Sequence, residues 1–171
     1  LQVTGLADPG SGRAYQAWLQ DASGGDLREA EKIARKLIAG SKMADACKGR
    51  VFYAVGGTWR AIAKLHMEET GYPLRVTHGY QITPDQAQKF LRKLVEADLD
   101  KLKGIHIISS SRRALLPFGA IVLLEIIRRM KPSAIAFSAL GVREGYLFGQ
   151  LDGDMRRRDG LLEAADELAV L

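Results

Sequence analysis

The stretch "FYAVGGTWRAIAKLH", residues 52–66, decides the fold. "RVFYAV" reads as a strand of the buried kind, with Val51 to Val55 almost wholly apolar or aromatic. Beyond the turn, Trp59, Ile62, Ala63, His66 and Met67 share one face at helical spacing. Gly56, Gly57 and Thr58 form the corner between strand and helix. A strand that stops there and restarts as a helix near Thr58 aims unpaired backbone N–H groups and the positive end of a helix dipole at one spot, which suits an anion. Taken alone the corner is a weak signal. It matches neither G-x-x-x-x-G-K-[ST] nor G-x-G-x-x-G, and a turn in which Gly57 supplies a positive φ and Thr58 caps the helix would explain it equally.

Upstream, "DLREAEKIARKLIAGS" reads as an amphipathic helix ending near Gly40. Asp26 is placed to cap it, Glu29 to close a capping box, and Ala30, Ile33, Ala34, Leu37 and Ile38 form its apolar stripe. Downstream, "GYPLRVTHGYQI" looks extended, because Pro73 keeps Tyr72 out of the helical region. In "TPDQAQKFLRKLVEADLD", Thr83 is the cap, Pro84 the first helical residue and Gln86 the capping-box partner. Its buried stripe is Ala87, Phe90, Leu91, Leu94 and Val95. "SSSRRALLPFGAIVLLEIIRRMK" predicts a short helical piece interrupted near Pro117, then an apolar helix from Phe118 to Met130, buried on most sides. "SAIAFS" is a second strand, followed by the turn "ALGVREG" and a short helix "YLFGQL". Two strand–turn–helix units among long helices predict an α/β layer, whose sites lie at the carboxyl ends of the strands.

At 171 residues and 47% hydrophobic content, the chain can hold one full core, or one lobe plus a tail. No apolar run approaches the roughly 20 residues of a membrane span. The start lacks the layout of a signal peptide. A soluble, cytoplasmic protein is therefore expected. Cys47 is the single cysteine, which excludes an internal disulfide and a cysteine-rich zinc site. A net charge of +5 and a pI near 9.4 favour anionic partners. The chain has no initiator methionine, and residues 1–25 are rich in Gly, Asp and Ser without a clear apolar period. They are expected to be poorly defined, and the chain to be a fragment of a longer protein. Residues 152–171 read as a charged linker and then a helix carrying Leu161, Leu162, Ala165, Leu168 and Ala169, the start of a further helical domain.

Other polar constellations are few. Arg112 and Arg113 follow three serines ahead of a helix; they are either a solvated pair or a grip on phosphate oxygens. Arg143 and Glu144, in the turn after the second strand, either line a cleft or fix the corner as an ion pair or cap. His66, His78 and His106 lack partners at metal-ligand spacing, and His66 falls on a buried helix face as a packed core residue. No G-x-S-x-G occurs, and the basic runs "RRMK" and "MRRRD" lack the aromatic pattern of nucleic-acid binders.

Taken in order, "FYAVGGTWRAIAKLH", "YPLRVTHGYQIT", "SSSRRALLPFGA" and "AFSALGVREGYLFGQL" resemble the second lobe of the exopolyphosphatase / guanosine pentaphosphate phosphohydrolase (Ppx/GppA phosphatase) family, over residues 26–151. The resemblance implies a ribonuclease-H-like lobe of the actin-like ATPase superfamily with a helical tail. It also implies magnesium-dependent release of the terminal phosphate from inorganic polyphosphate or guanosine pentaphosphate. Gly56, Gly57 and Thr58 would form the lobe's phosphate loop, Arg112 or Arg113 would neutralise the polyanion, and Arg143 with Glu144 would belong to the family's R-E-G turn.

The family's first lobe has no counterpart in this sequence. That lobe supplies a glycine-rich phosphate loop, a metal-binding aspartate and the glutamate that activates water. The catalytic residues and most magnesium ligands are thus expected outside the chain, with the first lobe of the same protein as partner. No nucleic acid or membrane partner is expected, and a homodimer is compatible with the resemblance. A competing expectation is a solitary phosphate-sensing or protein-interaction module without catalysis. A third is an ATP-dependent member of the superfamily, which the R-E-G turn disfavours.

Overall fold

The computed structural model describes residues 12–158 and residue 169. Two compact units divide between Ala139 and Leu140. The first unit contains α1 (Gly12–Ala22), α2 (Leu27–Ala39), α3 (Lys42–Ala46), β1 (Phe52–Val55), α4 (Gly57–Thr70), β2 (Gln81–Ile82), α5 (Pro84–Glu96), α6 (Ser110–Arg113), α7 (Leu116–Met130) and β3 (Ile135–Ser138). The second contains α8 (Val142–Gln150).

The architecture is mixed α/β, mostly helical around a three-stranded sheet of order β1-β3-β2. β1 and β3 run parallel with Phe52 opposite Ile135 and Val55 opposite Ser138, so their carboxyl ends coincide. Parallel pairing demands a crossover, supplied by the helices between the two strands. β3 is buried on both faces through Ile135, Ala136 and Phe137, as its unbroken apolar run requires. On β1, Phe52 and Ala54 are buried but Tyr53 faces solvent.

α7 is the hub. It is apolar nearly all round and packs against α2, α5 and α4, so Leu116, Leu123 and Ile126 lie deep in the core. Caps fix the surrounding helices. Asp26 accepts from the Arg28 N–H at the head of α2. Thr83 and Gln86 exchange both hydrogen bonds of a capping box at the head of α5. Glu29 does not close a box on α2; its carboxylate pairs with Lys32, 3.0 Å away.

Two further expectations change. Residues 72–82 are not one extended strand: Gln81–Ile82 form β2, antiparallel to β3, and of the residues before it Gly79 and Tyr80 hydrogen-bond to Phe137 of β3. Tyr72, Leu74 and Val76 stay exposed, because β-propensity without a neighbouring strand to complete its hydrogen bonds does not make a strand. In residues 1–25, α1 is a helix that buries Leu19 and Gln16 and packs on α2. Of the two residues it buries among those whose burial is described, Leu19 and Gln16, one is polar, which obscures an apolar period. Residues 1–11 and most of the expected helix at 161–169 lie outside the described residues.

Candidate functional site

The corner at the head of α4 is built from glycines for two different reasons. Gly56 has φ 140° and ψ 158°, a conformation that residues with a side chain rarely adopt. The positive φ therefore falls on Gly56, not on Gly57 as the sequence suggested. Gly57 opens the helix and is small because of what lies over it: a Cβ there would be 3.3 Å from Arg112 Nε and 3.6 Å from Arg112 Cζ. The Arg112 guanidinium is thus seated against the first residue of α4.

Thr58 is not the helix cap. The N-cap is Gly56, which has no side chain to offer, whereas α2, α3 and α5 are capped by Asp26, Ser41 and Thr83. Thr58 lies inside the first turn, only 2% exposed, with its hydroxyl buried and without a hydrogen-bond partner. Its methyl is pressed against α7, where a Cβ on Gly119 would come within 2.7 Å of Thr58 Cγ2. The neighbouring Trp59 indole N–H donates to the Gly119 carbonyl at 3.0 Å. These contacts hold the first turn of α4 firmly on α7, and Thr58 faces the corner through its backbone N–H rather than its hydroxyl.

The arginine pair separates by role. Both residues close α6 rather than precede a helix, so they are well placed against that helix's own dipole. Arg113 Nε donates to the Ile108 carbonyl at 2.9 Å and so braces the loop before α6. Arg112 makes no side-chain hydrogen bond or ion pair among the described residues, and it rests on the positive end of α4. A cation against a helix N-terminus is electrostatically misplaced unless an anion joins them.

At the carboxyl end of the sheet, Arg60 was not singled out from sequence, and His78 was weighed there only as a metal ligand. Arg60 donates from Nη1 to the Ala139 carbonyl at 2.8 Å, and His78 Nδ1 accepts from the Ala139 N–H at 3.3 Å. Together they pin the residue that follows β3. The signal for Arg60 was its position one turn into a helix, because helical side chains lean toward the N-terminus and reach back over the first turn.

Arg143 and Glu144 belong to the second unit and lie in the first turn of α8, not in the turn ahead of it. Glu144 Oε2 accepts from the Gly141 N–H at 2.7 Å, which makes it the cap of its own helix. Arg143 is exposed. His66 is a core residue as expected: burial lowers its pKa below the usual 6.5, and its Nδ1 lies 2.6 Å from the Tyr80 hydroxyl. Among the described residues, no group of three or more His, Cys, Asp or Glu side chains is placed to hold a metal ion.

The model of the Ppx/GppA phosphatase family matches residues 8–153. An exopolyphosphatase-like protein of known structure superposes with a TM-score of 0.63 at 18% identity, over 76% of this chain and 45% of that one. A Ppx/GppA family member from Aquifex aeolicus gives 0.57 at 21% identity, over 77% and 44%. The type II variant of the Aquifex aeolicus Ppx/GppA phosphatase gives 0.56 at 16%, over 80% and 47%. At these identities the likeness establishes the fold alone, the mixed α/β fold of these Ppx/GppA-type proteins. The chain spans less than half the length of these solved structures. No curated protein sequence matches it.

Proposed function

Because the chain belongs to the Ppx/GppA phosphatase family, we propose that it is the phosphate-binding lobe of an exopolyphosphatase-like hydrolase. The observation that carries this reading is Arg112, seated on Gly57 at an uncapped helix N-terminus and without a carboxylate among the described residues. A phosphate placed there accepts hydrogen bonds from the first N–H groups of α4 and from the guanidinium at once. Phosphoryl transfer needs mainly positioning and stabilisation of charge on the phosphate oxygens, and fixed dipoles with a pre-seated arginine supply both.

On this reading the substrates are inorganic polyphosphate or guanosine pentaphosphate, which present the same terminal phosphates to the corner. The water-activating carboxylate and the magnesium ligands are assigned to the first lobe of the family. Arg143 and Glu144 are carried as members of the family's R-E-G turn, with Glu144 acting as helix cap. The test is phosphate release from short-chain polyphosphate with magnesium, by this chain and by a longer chain that adds the first lobe. The expected result is negligible turnover by the first and clear turnover by the second, abolished by Arg112→Ala. Rapid turnover by the 171-residue chain alone would overturn the assignment of roles.

A further inference from the structure

On α2, α5 and α7 a second concave surface lies apart from the α4 corner and shares no residue with it. The cavity has a volume of about 370 Å³ and is lined by one stripe from each helix. Ile121, Leu124, Glu125 and Arg128 recur along α7 and form its floor; Leu27, Arg28, Glu31 and Arg35 form the α2 wall; Gln88, Arg92, Val95 and Glu96 form the α5 wall. That volume falls within the range of small-molecule sites, roughly 300–1,000 Å³.

The charges in this cavity are unevenly committed. Glu125 is 4% exposed and holds Arg128 at 2.8 Å and Arg35 at 3.3 Å, and Arg35 also pairs with Glu31. These four groups neutralise one another. Arg28 and Arg92 stand on opposite walls, and neither makes a side-chain hydrogen bond or ion pair among the described residues. The one other acid in the lining is Glu96, so four arginines face three glutamates and the uncommitted charge is positive. Two like charges on facing walls are stabilised by an anion shared between them.

We propose that this cavity is a binding site for a small amphipathic anion, a phosphate or carboxylate head on an apolar body. The head lies between Arg28 and Arg92, and the body rests on Ile121, Leu124, Leu27 and Val95. Glu125 serves as a positioning residue that keeps Arg35 and Arg128 clear of the head.

The probe is phenyl phosphate, titrated into the full chain while backbone and arginine side-chain N–H signals are followed by NMR. Saturable shifts at Arg28, Arg92 and Leu124 are expected, with affinity about tenfold above that of inorganic phosphate, which has the head without the body. The shifts should survive Arg112→Ala, which strips the α4 corner, and vanish in the double variant Arg28→Glu, Arg92→Glu. Both arginines are exposed, so the variant's unperturbed spectrum elsewhere verifies its fold. No saturable shift at millimolar phenyl phosphate, equal affinity for inorganic phosphate, or shifts that persist in the double variant would each overturn the proposal.

Discussion

Three glycines do different work around the head of α4, and substitution separates them. Gly57→Ala places a methyl 3.3 Å from Nε of the flexible Arg112 side chain, which can give way, and replaces glycine by a better helix former at the first position of α4. Its melting temperature should hold or rise while affinity for short-chain polyphosphate falls. Gly119→Ala drives a methyl into Thr58 Cγ2 and should destabilise the fold by about 1–3 kcal/mol in chemical denaturation. Gly56→Ala meets no neighbouring atom but inherits the strained φ of 140°, costing on the order of 1–3 kcal/mol. That glycines were needed at this corner was legible in the sequence. Which one carries the positive φ, and that Arg112 lies over the other, was not, because neither backbone angles nor a contact between residues 57 and 112 leaves a local pattern. His66 adds a pH signature. Its folded pKa is lowered by burial, so its contribution is complete above the unfolded value of 6.5 and is lost as pH falls below it. The melting temperature should therefore drop on acidification from about pH 7 to about pH 5, and drop less in His66→Gln.

At the scale of elements, local rules succeeded wherever the chain satisfied itself. The α5 capping box, the start of α2 at Asp26 and the apolar run of α7 follow from neighbours three or four residues apart. Thr83→Ala should cost about 1 kcal/mol of stability by denaturant titration and leave phosphate affinity unchanged, since α5 is remote in function from the corner. Two of the misreadings share one cause, which is dependence on distant partners. Residues 72–78 have β-propensity but pair with no strand, whereas Gly79 and Tyr80 exchange backbone hydrogen bonds with Phe137 of β3 and the Tyr80 ring packs on His66, Tyr72 and Phe137. α1 hides its inward face behind Gln16, a polar residue whose burial depends on the helices that cover it. The start of α8 was missed because Glu144 caps it from inside the R-E-G motif.

For the molecule as a whole, the order of motifs carried more information than any one of them. A glycine corner, an arginine pair and a second strand are each common; their sequence along the chain resembled a family whose model matches residues 8–153. The net charge of +5 belongs to the same account, because a polyanion gripped by N–H dipoles and an arginine should bind more weakly as salt screens it. The central claim is that the head of α4, with Arg112, grips phosphate. The most direct measurement is an amide NMR titration of this chain with short-chain polyphosphate and magnesium, following Gly57, Thr58 and Trp59. Saturable shifts centred on those three N–H groups, weakened about tenfold in Arg112→Ala, are the predicted result. Silence at those signals at millimolar ligand, or shifts indifferent to the loss of Arg112, would contradict it.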